Sequence, residues 1–172
     1  VPDFMAMCKR LGLKGIAGVE IDCIAPEINY HIELLGYFPG GAYRKTEAFL
    51  LDVLHAREAY ARQALQWAAE RYGQSLSFAE LQKHKLGFWN PQVQKLQLAY
   101  TKVDIFRFLQ HERIVAADLS YKQWKADTPF DGVTPVPKPH VREVIELITS
   151  DKGVAVLPHP GHMFDDSYPA MK

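Results

Sequence analysis

Three residues of this chain have types and spacing that allow joint chemistry: Glu20, His31 and His159. A hard carboxylate and two imidazoles suit zinc, manganese or iron, and three protein ligands leave positions for water and a reactant, as catalytic metal sites require. Singly, each has a plainer reading. Glu20 fits an ion-paired strand residue, His31 a hydrogen-bonded core histidine, and His159 a turn residue fixed between Pro158 and Pro160. Arg57 and Arg62 are candidates for substrate binding, since a guanidinium fork pairs two anion oxygens at once, although solvated helix arginines are the commoner case. His162 reads as a surface turn residue, and His55, His84, His111 and His140 have no partner at ligand spacing. Trp67, Trp89 and Trp124 read as packing residues rather than base-stacking platforms.

The elements that must position these residues follow from periodicity. Phe4, Met5, Met7, Cys8 and Leu11 have helical spacing, with Pro2 near the first turn and Gly12 as a stop. Gly15 to Ile24 is dense in β-branched residues and predicts a strand carrying Glu20. A turn at Pro26-Glu27-Ile28-Asn29 leads to a second strand, Tyr30 to Phe38, which contains His31. Helical periodicity then runs from about Lys45 to Tyr72, with Gly73 as its stop. Ser77-Phe78-Ala79-Glu80 has capping-box spacing, and Pro91 marks a possible start for a helix through Leu96, Tyr100, Val103 and Phe106. Thr128 to Pro139, with four prolines, is a connector. Val141 to Ile148 resumes a helix, and Val154 to Leu157 is a strand delivering His159 at its carboxyl end, where α/β folds gather their chemistry.

This order predicts an α/β layer fold with an α-helical insertion at 45–127, flanked by a core made of 1–44 and 128–172. The 172 residues are 48% hydrophobic, enough for one substantial core. Twenty basic residues balance twenty acidic ones, which argues against a protein that coats nucleic acid or an anionic membrane. Cys8 and Cys23 match no metal spacing and are too few for a disulfide scaffold, so a reducing, cytoplasmic setting is the economical reading. The start Val-Pro-Asp-Phe has neither an initiator Met nor signal-peptide regions and reads as cut or processed.

Gly18-Val19-Glu20-Ile21, followed by His31 in Tyr-His-Ile-Glu-Leu-Leu-Gly-Tyr-Phe, resembles the polymerase-and-histidinol-phosphatase (PHP) phosphoesterase family, where a Gly-Val-Glu strand leads to a histidine heading an Ile-Leu-Gly-Tyr-like strand. Gly153-Val-Ala-Val-Leu-Pro-His159-Pro-Gly161 is similar to that family's strand ending in His-Pro-Gly. The resemblance spans residues 3–39 and 138–162 closely, and 40–137 only in kind. It implies a distorted β/α barrel, here partial, with a cluster of two or three divalent ions (zinc, manganese or iron) that hydrolyses a small phosphomonoester or a nucleotide. Glu20 would bridge two ions, and His31 and His159 would complete the protein ligands of one. The helical insertion would cover the strand ends as a substrate cap. The family's opening His-x-His and closing Asp-x-His strands are missing from this sequence; Lys102 and Arg107 stand where the resemblance places a basic residue, and Asp104 where it would offer a histidine. An internal piece of a longer protein, inactive alone, is therefore expected. The rival expectation is a non-catalytic scaffold of the same fold, or a module associated with nucleic acid; no membrane partner is expected.

Overall fold

The structure, a computed structural model, describes residues 2–87 and 98–159. Trp89, Pro91, Leu96, Pro160, Gly161 and His162 lie outside the described residues. The chain divides into two compact units, one built from residues up to Leu50 together with those from Lys138 onward, the other from Leu51–Pro137.

In the first unit, helix α1 (Pro2–Arg10) precedes strand β1 (Ala17–Ala25), a 3-10 turn (Pro26–Ile28) and strand β2 (Tyr30–Phe38). The turn closes through Asn29, whose φ of 49° is one that asparagine tolerates better than most side chains. The strands pair antiparallel from Ala17↔Phe38 to Ala25↔Tyr30. Opposite residues share a face, so Ala17, Ile21, Cys23, Leu34 and Phe38 point into the core, while Glu20, Asp22, Glu33 and His31 share the other face. The buried Cys23 thiol donates to the Ile21 carbonyl at 3.2 Å, and burial pushes its pKa up to about 11, so it is a packing residue.

Helix α6 (Val141–Ser150) covers the core face through Val144 and Ile148. Its entry is fixed to β1, because the Ile24 N–H donates to the Pro139 carbonyl at 2.9 Å. His140 caps the helix: its Nδ1 accepts from the Arg142 N–H at 3.0 Å, which leaves Nε2 as the protonated nitrogen that donates to Glu27 at 2.9 Å. Gly36 lets the helix approach the sheet, since a Cβ there would meet Ile148 at 3.1 Å. After α6 the chain turns through Gly153 into β3 (Val154–Val156), which pairs antiparallel with β2 from Tyr37↔Val154 to Leu35↔Val156. Among the described residues this gives a three-stranded antiparallel sheet in the order β1-β2-β3, a mixed helix-and-sheet architecture.

Asp151, just past α6, supplies the N-terminal cap of the long helix α2 (Arg44–Tyr72): its carboxylate accepts from the Thr46 N–H at 2.8 Å and the Lys45 N–H at 3.3 Å. Burial pushes the Asp151 carboxyl up, but these N–H groups outweigh it and hold the group below its usual range.

The second unit packs the rest of α2 against α3 (Phe78–Leu86), α4 (Lys102–His111) and α5 (Tyr121–Ala126) around Leu65, Leu81, Ile105, Phe108, Leu109 and Trp124. The Ser77/Glu80 capping box forms as its spacing predicts. The helix expected from Pro91 through Tyr100 is corrected: residues 98–100 are not helical, and α4 starts at Lys102 because Thr101 and Asp104 cap each other's backbone N–H groups. A short α5, capped by Ser120 and Gln123, precedes the connector. Among the described residues no helix is long and apolar enough to cross a membrane.

Two outcomes test this packing. A Cβ at Gly153 would lie 2.7 Å from Phe38 and 2.9 Å from Ile148, so Gly153→Ala should lower unfolding stability by about 1–3 kcal/mol, measured by urea denaturation. Asp151 binds its proton more weakly folded than unfolded, so its contribution is present above the unfolded pKa, about 3.9, and is lost as pH falls through the lower folded value. The acid-side loss of stability should be shallower in Asp151→Asn than in the parent; equal slopes would show that the cap is not formed.

Candidate metal centre

Glu20 and Glu33 project from the face of the sheet that α6 leaves open, and the turn after β3 brings His159 to them. One ligand atom from each of the three lies within 4.8 Å of the others, and all three side chains are exposed. Among the described residues this is the group of three or more such side chains that can converge on one ion.

The strand register explains the convergence. Glu20 is opposite Leu35, and Glu33, two residues along β2 on the same face, is its diagonal neighbour. Val156 pairs with Leu35 on the far side, so three further residues carry the chain to His159 beside Glu33. His159 adopts a φ of 48°, an uncommon left-handed conformation for a residue other than glycine. Strained backbone of this kind persists where its surroundings hold it, often at functional positions.

The electrostatics favour a cation. Asp22 and Glu33 are directly opposite each other, an arrangement of like charges that destabilises a strand pair. Lys138 offsets Asp22 at 3.5 Å. Among the described residues neither Glu20 nor Glu33 has an ion-pair partner. Two uncompensated carboxylates and an imidazole are hard and borderline donors, a set that fits zinc, manganese or iron and leaves coordination positions open.

The structure places the other sequence candidates as follows. His31 is opposite Ile24, on the same face as Glu20 but two residues beyond Glu33 and four beyond Leu35, roughly 13 Å along the strand from Leu35. It is exposed and is not brought into the convergent group. Glu33 takes that place, and it immediately precedes Leu34-Leu35-Gly36-Tyr37. Sequence reasoning passed over Glu33 because an acidic residue alternating with buried ones reads as solvated; the signal that finds it is its register beside Glu20. Arg62, in the helical unit, has its fork on Glu58, at 3.0 and 2.8 Å, and its guanidinium lies 3.8 Å from the centre of the Phe78 ring. Arg57 is a half-buried residue of α2. Asp104 pairs with Lys85 at 2.7 Å in addition to its capping role, and Lys102 lies over Phe130 at 5.1 Å.

Substitution separates the candidate ligands of the convergent group from His31. Glu33→Gln should weaken Mn2+ binding by at least about tenfold while leaving the metal-free chain at least as stable, because it removes a like-charge opposition. His31→Ala should leave that affinity within about twofold. Calorimetric titration and thermal melts read both, and the reverse pattern would move the ion toward His31.

No family model matches the chain, and no curated protein matches it by sequence. Its fold is similar to the crystal structure of a protein assigned as a metal-dependent phosphoesterase from Bifidobacterium adolescentis, with a TM-score of 0.62 and 16% identity. The match covers 93% of this chain and 52% of the other, so the chain spans about half the length of that neighbour and shares its fold over that half.

Proposed function

We propose that this chain forms one wall of the metal centre of a PHP-type metal-dependent phosphoesterase acting on a small phosphomonoester or a nucleotide. The observation that carries the reading is the convergence of two uncompensated carboxylates and an imidazole at a strained turn on the open face of the sheet. The fold likeness to a protein assigned that activity supports it.

Divalent ions, when bound, supply an activated water and neutralise charge developing on the phosphoryl oxygens. The chain's own part is placement. Glu20 and Glu33 contribute the charge that would hold a cation, His159 offers an imidazole nitrogen, the β1–β2 ladder fixes the two carboxylates, and the β2–β3 pairing brings the chain to His159. His31 and Asp22 extend the same face and are candidates for a second ion or for substrate, and Arg57 remains a candidate for the substrate's anion.

The rest of the sheet face leaves room for the barrel reading. The face bearing Glu20 also presents Tyr37, Val154 and Val156, at 40, 53 and 38% exposure, while α6 covers the opposite face. A ligand-bearing face left open on one side and covered by a helix on the other is compatible with the wall of a distorted barrel, although these three strands run antiparallel where those of a regular β/α barrel are parallel. Two buried thiols without a disulfide agree with a cytoplasmic setting.

In a longer protein that supplies the remainder of such a barrel, Mn2+ or Zn2+ should support hydrolysis of a generic phosphomonoester. Glu20→Gln or His159→Ala should each lower kcat by at least about 100-fold, since removing a metal ligand exceeds the effect of disturbing its supporting residues. Activity that survives both substitutions would refute the assignment. Metal binding without hydrolysis would point instead to a non-catalytic scaffold.

A further inference from the structure

The ends of α3 and α4 bring together a second set of ligand-type side chains, separate from the sheet. His84 lies in the last turn of α3, and His111 is the last residue of α4. Their ring centroids are 4.6 Å apart with the planes inclined by 40°. The two rings line a cavity of about 480 Å3 together with Glu80, Lys83, Gly87 and Glu112.

The surroundings favour a positive ion. Both helices end here, and each C-terminus contributes partial negative charge. Glu112 is within 3.8 Å of the His111 Nε2, and Glu80, although committed to capping Ser77, adds a second carboxylate against the single Lys83. Desolvation, then the neighbouring His111, pushes the His84 pKa below its usual range. The spacing of the two imidazoles is also held in advance. Leu81, Phe108 and Leu109 are fully buried between the helices, the Phe108 ring is 5.8 Å from His84, and the Lys85–Asp104 pair ties α3 to α4 at 2.7 Å.

We propose that His84 and His111 form a two-imidazole site for a divalent transition-metal ion, whose remaining coordination positions water fills while the nearby Glu112 carboxylate contributes negative charge. Imidazole pairs prefer nickel, copper and zinc over magnesium or calcium. Such an ion clamps the C-terminal ends of α3 and α4 and stabilises the helical unit by binding the folded form alone.

Ni2+ titration by calorimetry tests this in the 172-residue chain carrying Glu20→Gln and His159→Ala, which removes the sheet ligands. One Ni2+ should bind, and adding either His84→Ala or His111→Ala should weaken it by at least about tenfold, because each removes half of a pre-positioned pair. His111 is 63% exposed, so its replacement leaves the fold intact, as circular dichroism will show. In the unsubstituted chain, His111→Ala should remove one binding step and leave the sheet-face step. No Ni2+ binding to the Glu20→Gln/His159→Ala chain, or affinity within about twofold after His111→Ala, would overturn the proposal.

Discussion

The antiparallel ladder between β1 and β2 is the constraint on which the rest of the structure depends. Because strand side chains alternate with a period of two, a slip of β1 by one residue would move Ile21 and Cys23 out of the core and carry Glu20 into it, and a slip of β2 would do the same to Leu34, Phe38 and Glu33. Burial of the apolar set therefore specifies the position of the acidic set. The ladder also fixes β3, whose pairing with Tyr37, Gly36 and Leu35 decides where the chain emerges toward His159. A site whose members are 139 positions apart in sequence, from Glu20 to His159, is thus assembled by one sheet.

Helix α6 converts that pairing into a rigid frame. It is fastened at its start by the Pro139 carbonyl on β1 and by His140, whose two ring nitrogens face the helix N-terminus and Glu27. At its far end Asp151 caps α2, so the same short segment orders the entry to β3 and the first turn of the long helix. Glycine at position 36 lets Ile148 of the helix lie against the sheet, and glycine at position 153 lets the exit turn lie against Phe38 and Ile148 without overlap. Frame and site are consequently coupled through packing rather than through direct contact.

Much of this was legible in the sequence, and the gaps have physical causes. Tyr30–Phe38 and the long helix ending at Tyr72 were readable because their periodicity is uninterrupted and glycines close both. The start of α4 was misplaced because proline at a first helical turn is a common signal, whereas the decisive one was the Thr101–Asp104 reciprocal cap. The antiparallel order of all three strands was not predicted, since periodicity carries no information on strand direction. Glu20 and His159 stood out by motif and by their position at strands. Glu33 did not, because its place beside Glu20 arises from a diagonal relation across two strands that linear spacing does not express.

The central claim is that Glu20, Glu33 and His159 hold one divalent ion on the open sheet face. A crystal of the chain soaked in Mn2+ and measured by anomalous diffraction tests it directly. The account predicts one anomalous peak on that face, at about 2.0–2.2 Å from a carboxylate oxygen of Glu20, a carboxylate oxygen of Glu33 and an imidazole nitrogen of His159. A crystal at saturating Mn2+ with no peak within reach of these three side chains would contradict it.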